Sequence, residues 1–182
     1  MGFATVSVRD ADGTATGPAQ GFVPGPATAA AYRRALGRFV TGVTVITAAT
    51  AEGPMGITAN SFTSVSLDPP LVLWCPARGS KRFAHFAAAP HFAIHVLGDG
   101  QLDVARGFAS GAGHFAAPPG QVTPEGVPVL DAALARFDCA LHAAHDGGDH
   151  VIIVGRVLRV LPGEGAPLVF SGGDYGQFSS GV

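Results

Sequence analysis

The stretch "ARFDCALHAAHDGGDHVIIVGRVLRVL" (residues 135–161) predicts two long β-strands joined by a tight turn. Its halves, "ARFDCALHAAH" and "HVIIVGRVLRVL", both read as strands. The "DGGD" of 146–149 between them supplies two glycines for the positive φ angles that a short hairpin turn requires. The hairpin therefore predicts antiparallel pairing in the second half of the chain.

Shorter strands are predicted along the rest of the sequence, which brings the total to about seven strands and three short helices. The further strands lie at 43–47, 55–67, 71–75, 92–97 and 166–170. The helices begin after Thr28, after Ser80 and at "GQLDVARGFAS" (100–110). Because the strands follow one another without regular helical crossovers, a mainly antiparallel barrel is favoured over a doubly wound sheet.

The composition of the 182 residues indicates one domain with a tail. Residues 1–27, rich in Gly, Pro, Ala and Thr, are predicted to form a flexible tail or arm, and residues 28–182 the domain. Charged residues make up 13% of the chain, against roughly 25% in a typical globular protein. This low charge favours a surface buried against a second copy, although a monomer from an Ala- and Gly-rich proteome would share it.

Charge and hydropathy also argue against several classes of protein. The net charge is −2 and there is no basic run, which argues against nucleic-acid binding. No apolar stretch approaches membrane-spanning length, and Arg9, Asp10 and Asp12 stand where a signal peptide needs an apolar core. Cys75 and Cys139 lie in strand-like runs without a C-x-x-C motif, which predicts reduced cysteines in a cytoplasmic protein.

The segment "ITANSFTSVS" (57–66) is too polar for a strand between apolar neighbours. Its six hydroxyl or amide side chains fall on both faces of a regular strand, and the apolar phase slips around Phe62. Two interpretations stay open: an edge strand with solvated hydroxyls, or a site for a polar, uncharged ligand such as a flavin ring and its ribityl chain.

Two further motifs have both a structural and a functional interpretation. In "ARGSKR" (77–82), Ser80 and Lys81 at a helix start would suit a phosphate group, or would simply cap the helix beside a solvated lysine. In "HDGGDH" (145–150) the spacing fits no standard zinc pattern, so no metal site is predicted. His150 would then be either structural or directed at a ligand. No G-x-S-x-G, P-loop or G-x-G-x-x-G after a strand is present.

Five blocks of the sequence, in this order, resemble the flavin reductase family, the small NAD(P)H:flavin oxidoreductase components of two-component monooxygenases. The blocks are "YRRALGRFVTGVTVITA", "GITANSFTSVSLDPPLVLWCPARGSKRF", "FAIHVL", "LDAALARFDCALHAAHDGGDHVIIVGRV" and "PLVFSGGDY". The resemblance implies a mainly β fold with short peripheral helices. Its core would be an antiparallel six-stranded split β-barrel of the FMN-binding type, which forms homodimers with flavin near the interface.

The resemblance also implies the site. The residues that would line the flavin are Thr58, Ala59, Asn60, Ser61, Ser64, Val65, Ser66, Cys75, Pro76 and Ala77. Ser80 and Lys81 would take the phosphate, and His150, the catalytic candidate, would lie with Tyr175 beside the nicotinamide. His95 and Val96 match a cofactor-contacting block in which the family often has Asn in place of His95; an imidazole is larger than an amide and titrates near neutral pH.

The activity implied is hydride transfer from C4 of NADH or NADPH to N5 of FMN or FAD, after which reduced flavin diffuses to a partner monooxygenase. The residues do not decide between the two flavins or the two nicotinamides. Two other functions remain: a flavin carrier or sensor without reductase activity, and a dimeric module without a ligand. The "GDH" of 148–150 favours the enzyme, because a pure flavin binder would not need this nucleotide-side motif.

Overall fold

A computed structural model describes residues 21–110, 113, 115 and 119–179, which divide into two compact units after Arg38. The first unit contains a 3-10 turn, Pro26–Thr28, and helix α1, Ala29–Leu36. The helix predicted after Thr28 is confirmed, but the Thr28 hydroxyl donates back to the Val23 carbonyl at 2.9 Å and does not cap α1. Most of the predicted tail, residues 1–20, lies outside the described residues.

The second unit is mainly β with short helices, and every strand pairing in it is antiparallel, as predicted. Its strands are β1 (Thr41–Gly42), β2 (Thr44–Thr50), β3 (Gly53–Ala59), β4 (Thr63–Leu67), β5 (Pro70–Trp74), β6 (His91–Val96), β7 (Ala135–Gly147), β8 (His150–Pro162), β9 (Leu168–Ser171) and β10 (Asp174–Gln177). Its helices are α2 (Phe83–Ala88), α3 (Leu102–Ala109) and a 3-10 turn, Asp99–Gln101.

The strands form two sheets. The larger has the order β3-β2-β6-β7-β8-β5-β4, and the smaller the order β1-β9-β10. The larger sheet therefore has seven strands, where the resemblance implies a barrel of six, and β3 and β4 are its edges. Seven strands were predicted for the whole chain, and the described residues contain ten. Two of the additional strands, β1 and β10, were not predicted because they are short, and the third arises because the predicted strand 55–67 is divided into β3 and β4.

The break between β3 and β4 explains the apolar phase slip in "ITANSFTSVS". Residues 60–62 belong to neither strand, so the alternation of faces restarts at Thr63. Phe62 turns toward the core, where its ring lies 5.5 Å from that of Phe137. The expectation of one continuous strand across this segment was wrong.

One face of the large sheet packs on the main hydrophobic core. Trp74 lies at its centre, with its ring 5.5 Å from Phe86 of α2 and 6.2 Å from Phe92 of β6. Gly155 of β8 comes so close to this group that a Cβ atom there would lie 2.6 Å from the Phe92 ring. Packing at this density fixes the face that β8 presents to the core.

Residues 121–130, which we call the strap, pack on part of the opposite face of the sheet, where Val127 and Val129 form a buried cluster with Ala93. Four cross-strand neighbours on β2, β6, β7 and β8 hold it: Thr47, Ala93, Asp138 and Arg159. Thr47 donates its hydroxyl to the Pro128 carbonyl at 2.6 Å, and Arg159 forms ion pairs with both Asp138 and Glu125 of the strap. Asp138 is buried, and Nε of Arg136 also donates to it at 2.9 Å. Its charge is thus balanced by two guanidinium groups.

His95 fastens the end of the strap. Its ring is fully buried; Nδ1 donates to the Val45 carbonyl and Nε2 accepts the Leu130 N–H, both at 3.1 Å. Only the neutral imidazole protonated at Nδ1 satisfies both bonds. Burial lowers the pKa of His95 from 6.5 to about 4, with the nearby Arg136 charge acting in the same direction.

This depressed pKa predicts that the protein loses stability in mild acid. Between pH 6.5 and about 4 the unfolded chain binds a proton at residue 95 that the folded chain excludes. The free energy of unfolding should therefore be unaffected by this group above pH 6.5 and should fall by about 3 kcal/mol as the pH drops through that window. Urea titrations between pH 4 and pH 8 measure it.

The matched variant is His95→Asn, which removes the titrating group. It should be less stable than the wild type at pH 8, because the Leu130 N–H loses its acceptor, and the difference should shrink as the pH falls. Unfolding free energies of the two proteins that run parallel across the window would contradict the assignment.

Candidate functional site

The pairing of β5 with β8 continues past the end of β5 and places His150. Beyond Trp74, Ala77 bridges to His150, the Val151 N–H donates to the Pro76 carbonyl at 3.1 Å, and the Arg78 N–H donates to the Asp149 carbonyl at 2.9 Å. The first residues of β8 are thus held against the chain that follows β5. His150 therefore faces a loop from a distant part of the sequence.

Asp149 orients the His150 ring. Its carboxylate accepts a hydrogen bond from Nδ1 of His150 at 2.7 Å, which leaves Nε2 as the ring nitrogen without a partner among the described residues. That hydrogen bond lowers the pKa of Asp149, so the carboxylate stays ionised. In the sequence, Asp149 belongs to the "HDGGDH" stretch weighed as a metal site and to the "GDH" motif, but no role of its own was predicted for it. Its position directly before His150 was the available signal.

The end of β3 is tied to the same loop by Ser61. Its Oγ accepts the Cys75 N–H at 3.0 Å, which brings residues 60–61 beside residues 75–77. Thr58 is held from the other side, since its hydroxyl donates to the Ala105 carbonyl of α3 at 2.7 Å. The hydroxyls of Thr58 and Ser61 therefore hold the end of β3 against α3 and against the segment after β5.

A cavity of about 220 Å³, which we call cavity A, lies between these segments. It is lined by Ile57, Thr58, Ala59, Asn60, Ser61, Trp74, Cys75, Pro76, Ala77, Ser80 and His150. These groups are apolar surface, hydroxyls, an amide, a thiol and an imidazole, with no carboxylate. Such a donor set fits a flat, uncharged heteroaromatic ring with a polar edge, as a flavin has. Burial raises the pKa of the Cys75 thiol, which favours its neutral form.

Of the two residues predicted to take the phosphate, one lines cavity A and the other does not. Ser80 lines the cavity, and Lys81, the only lysine of the chain, follows it with an exposed side chain. The predicted helix begins at Phe83, and the Ser80 hydroxyl accepts the Arg82 N–H at 3.2 Å. A hydroxyl and a flexible cation thus stand together, although Lys81 itself does not line the cavity.

Arg82 is a buried cation that sequence reasoning missed. Nη1 donates to the carbonyls of Gly56, at 3.0 Å, and of Phe108, at 2.6 Å, so the guanidinium joins β3 to the C-terminal end of α3. Burial lowers its pKa. No carboxylate pairs with it among the described residues, and its charge is instead favoured by the carbonyls at the helix end. The "ARGSKR" motif carried no signal that Arg82 points inward.

A second cavity of about 160 Å³, cavity B, shares the wall formed by residues 58–60. Its lining consists of Val43, Thr58, Ala59, Asn60, Ala109, Phe170 and Tyr175. The rings of Phe170 and Tyr175 pack edge to face with centroids 5.2 Å apart. Tyr175, predicted to share a cleft with His150, lies at cavity B, whereas His150 lies at cavity A.

The remaining predicted contacts lie outside both cavities. Ser64, Val65 and Ser66 are on β4, the edge strand, and His95 and Val96 are on β6. His95 reaches neither cavity because its ring is enclosed between β2 and the strap. The structure thus brings together the residues of 58–61, 75–77, 80 and 150, and leaves the flavin contacts themselves as a prediction.

Two other features bear on the class of protein. No group of three or more candidate metal ligands occurs among the residues that the structure describes. Over the same residues, no helix has the length and apolar character needed to cross a membrane.

Comparison with known proteins identifies the family. The model of the family described as "Flavin reductase like domain" matches residues 36–179. The FMN reductase (NADH) SmoA of Agrobacterium fabrum is 54% identical over 158 residues, which cover 87% of this chain and 91% of SmoA. The flavin-dependent monooxygenase reductase subunit HsaB of Mycobacterium tuberculosis is 38% identical over 148 residues, and the match covers 79% of this chain and 79% of HsaB.

A solved structure agrees with these matches. The NADH:FAD oxidoreductase SgcE6 of Streptomyces globisporus, in complex with NAD and FAD fragments, superposes with a TM-score of 0.79 and is 38% identical. The match covers 88% of this chain and 98% of SgcE6. Together with the family model, these similarities extend over both sheets and both cavities, and the chain belongs to the flavin reductase family.

Proposed function

We propose that this protein reduces FMN or FAD with NADH and supplies the reduced flavin to a partner monooxygenase. The observation that carries the proposal is cavity A, where residues from 57–61, 74–80 and the β7–β8 hairpin meet around a space suited to a flat heteroaromatic ring. NADH is the proposed donor, because SmoA and SgcE6 are both named for it. HsaB is named as a reductase subunit of a monooxygenase, which supports the partner.

The residues of cavity A bind and orient the flavin in this proposal. Residues 58–61 face the polar edge of the ring and the ribityl chain, and residues 75–77 run along it. Ser80 and Lys81 take the phosphate. Bound flavin supplies the electrophilic N5 that accepts a hydride. The chain itself aligns the two cofactors and excludes water from between them.

His150 lines cavity A beside Ala77 and is proposed to orient the nicotinamide. Asp149 holds its Nδ1, so Nε2 is available to donate or accept a hydrogen bond at the cofactor. Tyr175 borders cavity B, on the other side of residues 58–60, and would contact the part of the cofactor pair that extends there. Ser64, Val65, Ser66, His95 and Val96 take no part in this proposal, because they lie outside both cavities.

The finer architecture and surroundings are also proposed. Residues 28–182 would form one reductase domain of the FMN-binding split-barrel type. The low charge content supports a homodimer, and the two free cysteines, Cys75 and Cys139, support a reducing, cytoplasmic location. Reduced flavin would reach the partner by diffusion, which requires moderate rather than very tight flavin affinity.

Four assays test the function: purified protein in air with FMN or FAD, each paired with NADH or NADPH, followed by the loss of nicotinamide absorbance. Flavin-dependent oxidation of NADH is expected. Yellow protein without oxidation would support a carrier instead, and colourless protein without oxidation would overturn both flavin functions. The four rates also decide which flavin and which nicotinamide are preferred.

Lys81→Met should weaken the binding of FMN by about fivefold, which corresponds to roughly 1 kcal/mol for an exposed charge on a phosphate. Riboflavin, which lacks the phosphate, should bind the variant and the wild type equally. Quenching of flavin fluorescence measures both affinities. Arg156→Met on β8, an exposed cation away from both cavities, is the matched control. If Lys81→Met weakens the binding of FMN and of riboflavin equally, Lys81 does not bind the phosphate.

His150→Ala should lower kcat/KM for NADH by about ten- to a hundredfold and leave flavin affinity unchanged. Activity should persist, because hydride transfer requires no general acid. Stopped-flow reduction of the bound flavin under anaerobic conditions gives the rate. His142→Ala, on an exposed histidine of β7, controls for the loss of an imidazole. Complete inactivity with normal flavin binding would show that His150 does more than orient the nicotinamide.

A further inference from the structure

Arg78 reaches from the loop after β5 to the turn between β7 and β8. Its Nε donates to the Gly148 carbonyl at 3.1 Å, and Nη2 pairs with the carboxylate of Asp146 at 2.5 Å. Its backbone N–H donates to the Asp149 carbonyl at 2.9 Å. A single residue therefore contacts three of the four residues of the "DGGD" turn.

These contacts surround the base of His150. Asp146 is the last residue but one of β7 and pairs with Val151, Gly148 has a φ of +76°, and His150 begins β8 two residues later. Most of the β7 residues next to the turn are exposed, so little packing restrains the turn itself. The Arg78 guanidinium also stacks near the Phe83 ring of α2, with 5.8 Å between its central carbon and the ring centre, and this contact restrains the side chain.

The chemistry of the contact requires arginine. The Arg78 side chain has two acceptors, the backbone carbonyl of Gly148 and the carboxylate of Asp146, and different nitrogens of one planar guanidinium donate to them. A lysine ammonium has no such fixed fork and would hold one acceptor at the expense of the other. The guanidinium thus sets an orientation of the turn as well as a distance.

The same contact contributes little to overall stability. The side chains of Arg78 and Asp146 are 44% and 80% exposed, and ion pairs in such surroundings are worth about 0–1 kcal/mol. Loss of the pair should therefore leave the fold intact. Any effect on catalysis would then come from the position of the turn.

We propose that Arg78 is a positioning residue that clamps the β7–β8 turn and so holds His150 at cavity A. The inference rests on the proposed function, since His150 is assigned to the nicotinamide there. Arg78 lines neither cavity, so it would act on the reaction only through the turn. Asp149 lies in that turn, and its hydrogen-bond partner His150 follows directly.

The test compares Arg78→Ala, Arg78→Lys and Asp146→Asn with the control Arg156→Ala, an exposed arginine on β8 that forms no side-chain hydrogen bond or ion pair among the described residues. Arg78→Ala should lower kcat/KM for NADH by about tenfold, with flavin affinity unchanged. Arg78→Lys and Asp146→Asn, which each keep part of the contact, should lose about threefold. All four variants should melt within about 3 °C of the wild type.

Hydrogen exchange gives a readout that does not depend on activity. In Arg78→Ala the amides of 148–151 should exchange about tenfold faster, whereas those of the ladder between Trp74 and Ile153 should not change. Unchanged exchange at the turn overturns the clamp. Faster exchange with unchanged kcat/KM, or a loss of flavin affinity equal to the loss of kcat/KM, overturns the positioning of His150.

These readouts also separate the inference from the proposed function. A wild-type protein that binds flavin but does not oxidise NADH would refute the reductase function by itself. In that case the hydrogen exchange of 148–151 still decides whether Arg78 clamps the turn. If the wild-type protein is active and the Arg78 variants lose NADH turnover but keep their flavin affinity, the result supports both the reductase function and the role of Arg78.

Discussion

The antiparallel ladder between β7 and β8 is the constraint on which the rest of the structure depends. Each strand has thirteen residues, and each also pairs outward, β7 with β6 and β8 with β5. One face of this four-strand centre packs on the Trp74 core, the other supports the strap, and the turn at its end carries His150. A shift of the register by one residue would exchange the two faces and remove all three features together.

Polar groups on the strap face make that register specific. Thr47, Asp138 and His95 are buried there, and each has its hydrogen-bond partners in the strap or in a neighbouring strand. Buried polar groups add little net stability when paired but are costly when unpaired. An alternative register would leave these groups without partners. The main effect of the buried polar groups is therefore to destabilise other registers. The apolar core alone would tolerate more arrangements.

Local patterns in the sequence predict much of this fold, because local rules determine the features concerned. The two glycines of the turn, the alternation in β6 and the β-branched run of β2 led to elements that the structure contains. The break at 60–62, the burial of His95 and the inward course of Arg82 depend on partners far along the chain, which no local pattern shows. Phe62 packs on Phe137, His95 is bonded to Val45 and Leu130, and Arg82 is bonded to carbonyls of β3 and α3. Seven of the ten residues predicted to line the flavin lie together at cavity A, because the β5–β8 pairing and the Ser61–Cys75 hydrogen bond bring their segments together. The other three, Ser64, Val65 and Ser66, lie on the edge strand β4, outside both cavities.

The wall of residues 58–60 is common to the two cavities. These residues border both cavity A and cavity B, so a substitution there changes the two sites together and cannot assign a role to either. Ser61, Ser80 and His150 border only A, and Phe170 and Tyr175 border only B. The fold holds two residues of the wall, since β3 pairs with β2 as far as Ala59 and Thr58 is bound to α3, whereas Asn60 lies beyond the end of β3. A ligand in either cavity would therefore contact the same three residues, and Asn60 is the member of the wall whose position the β2–β3 ladder does not fix.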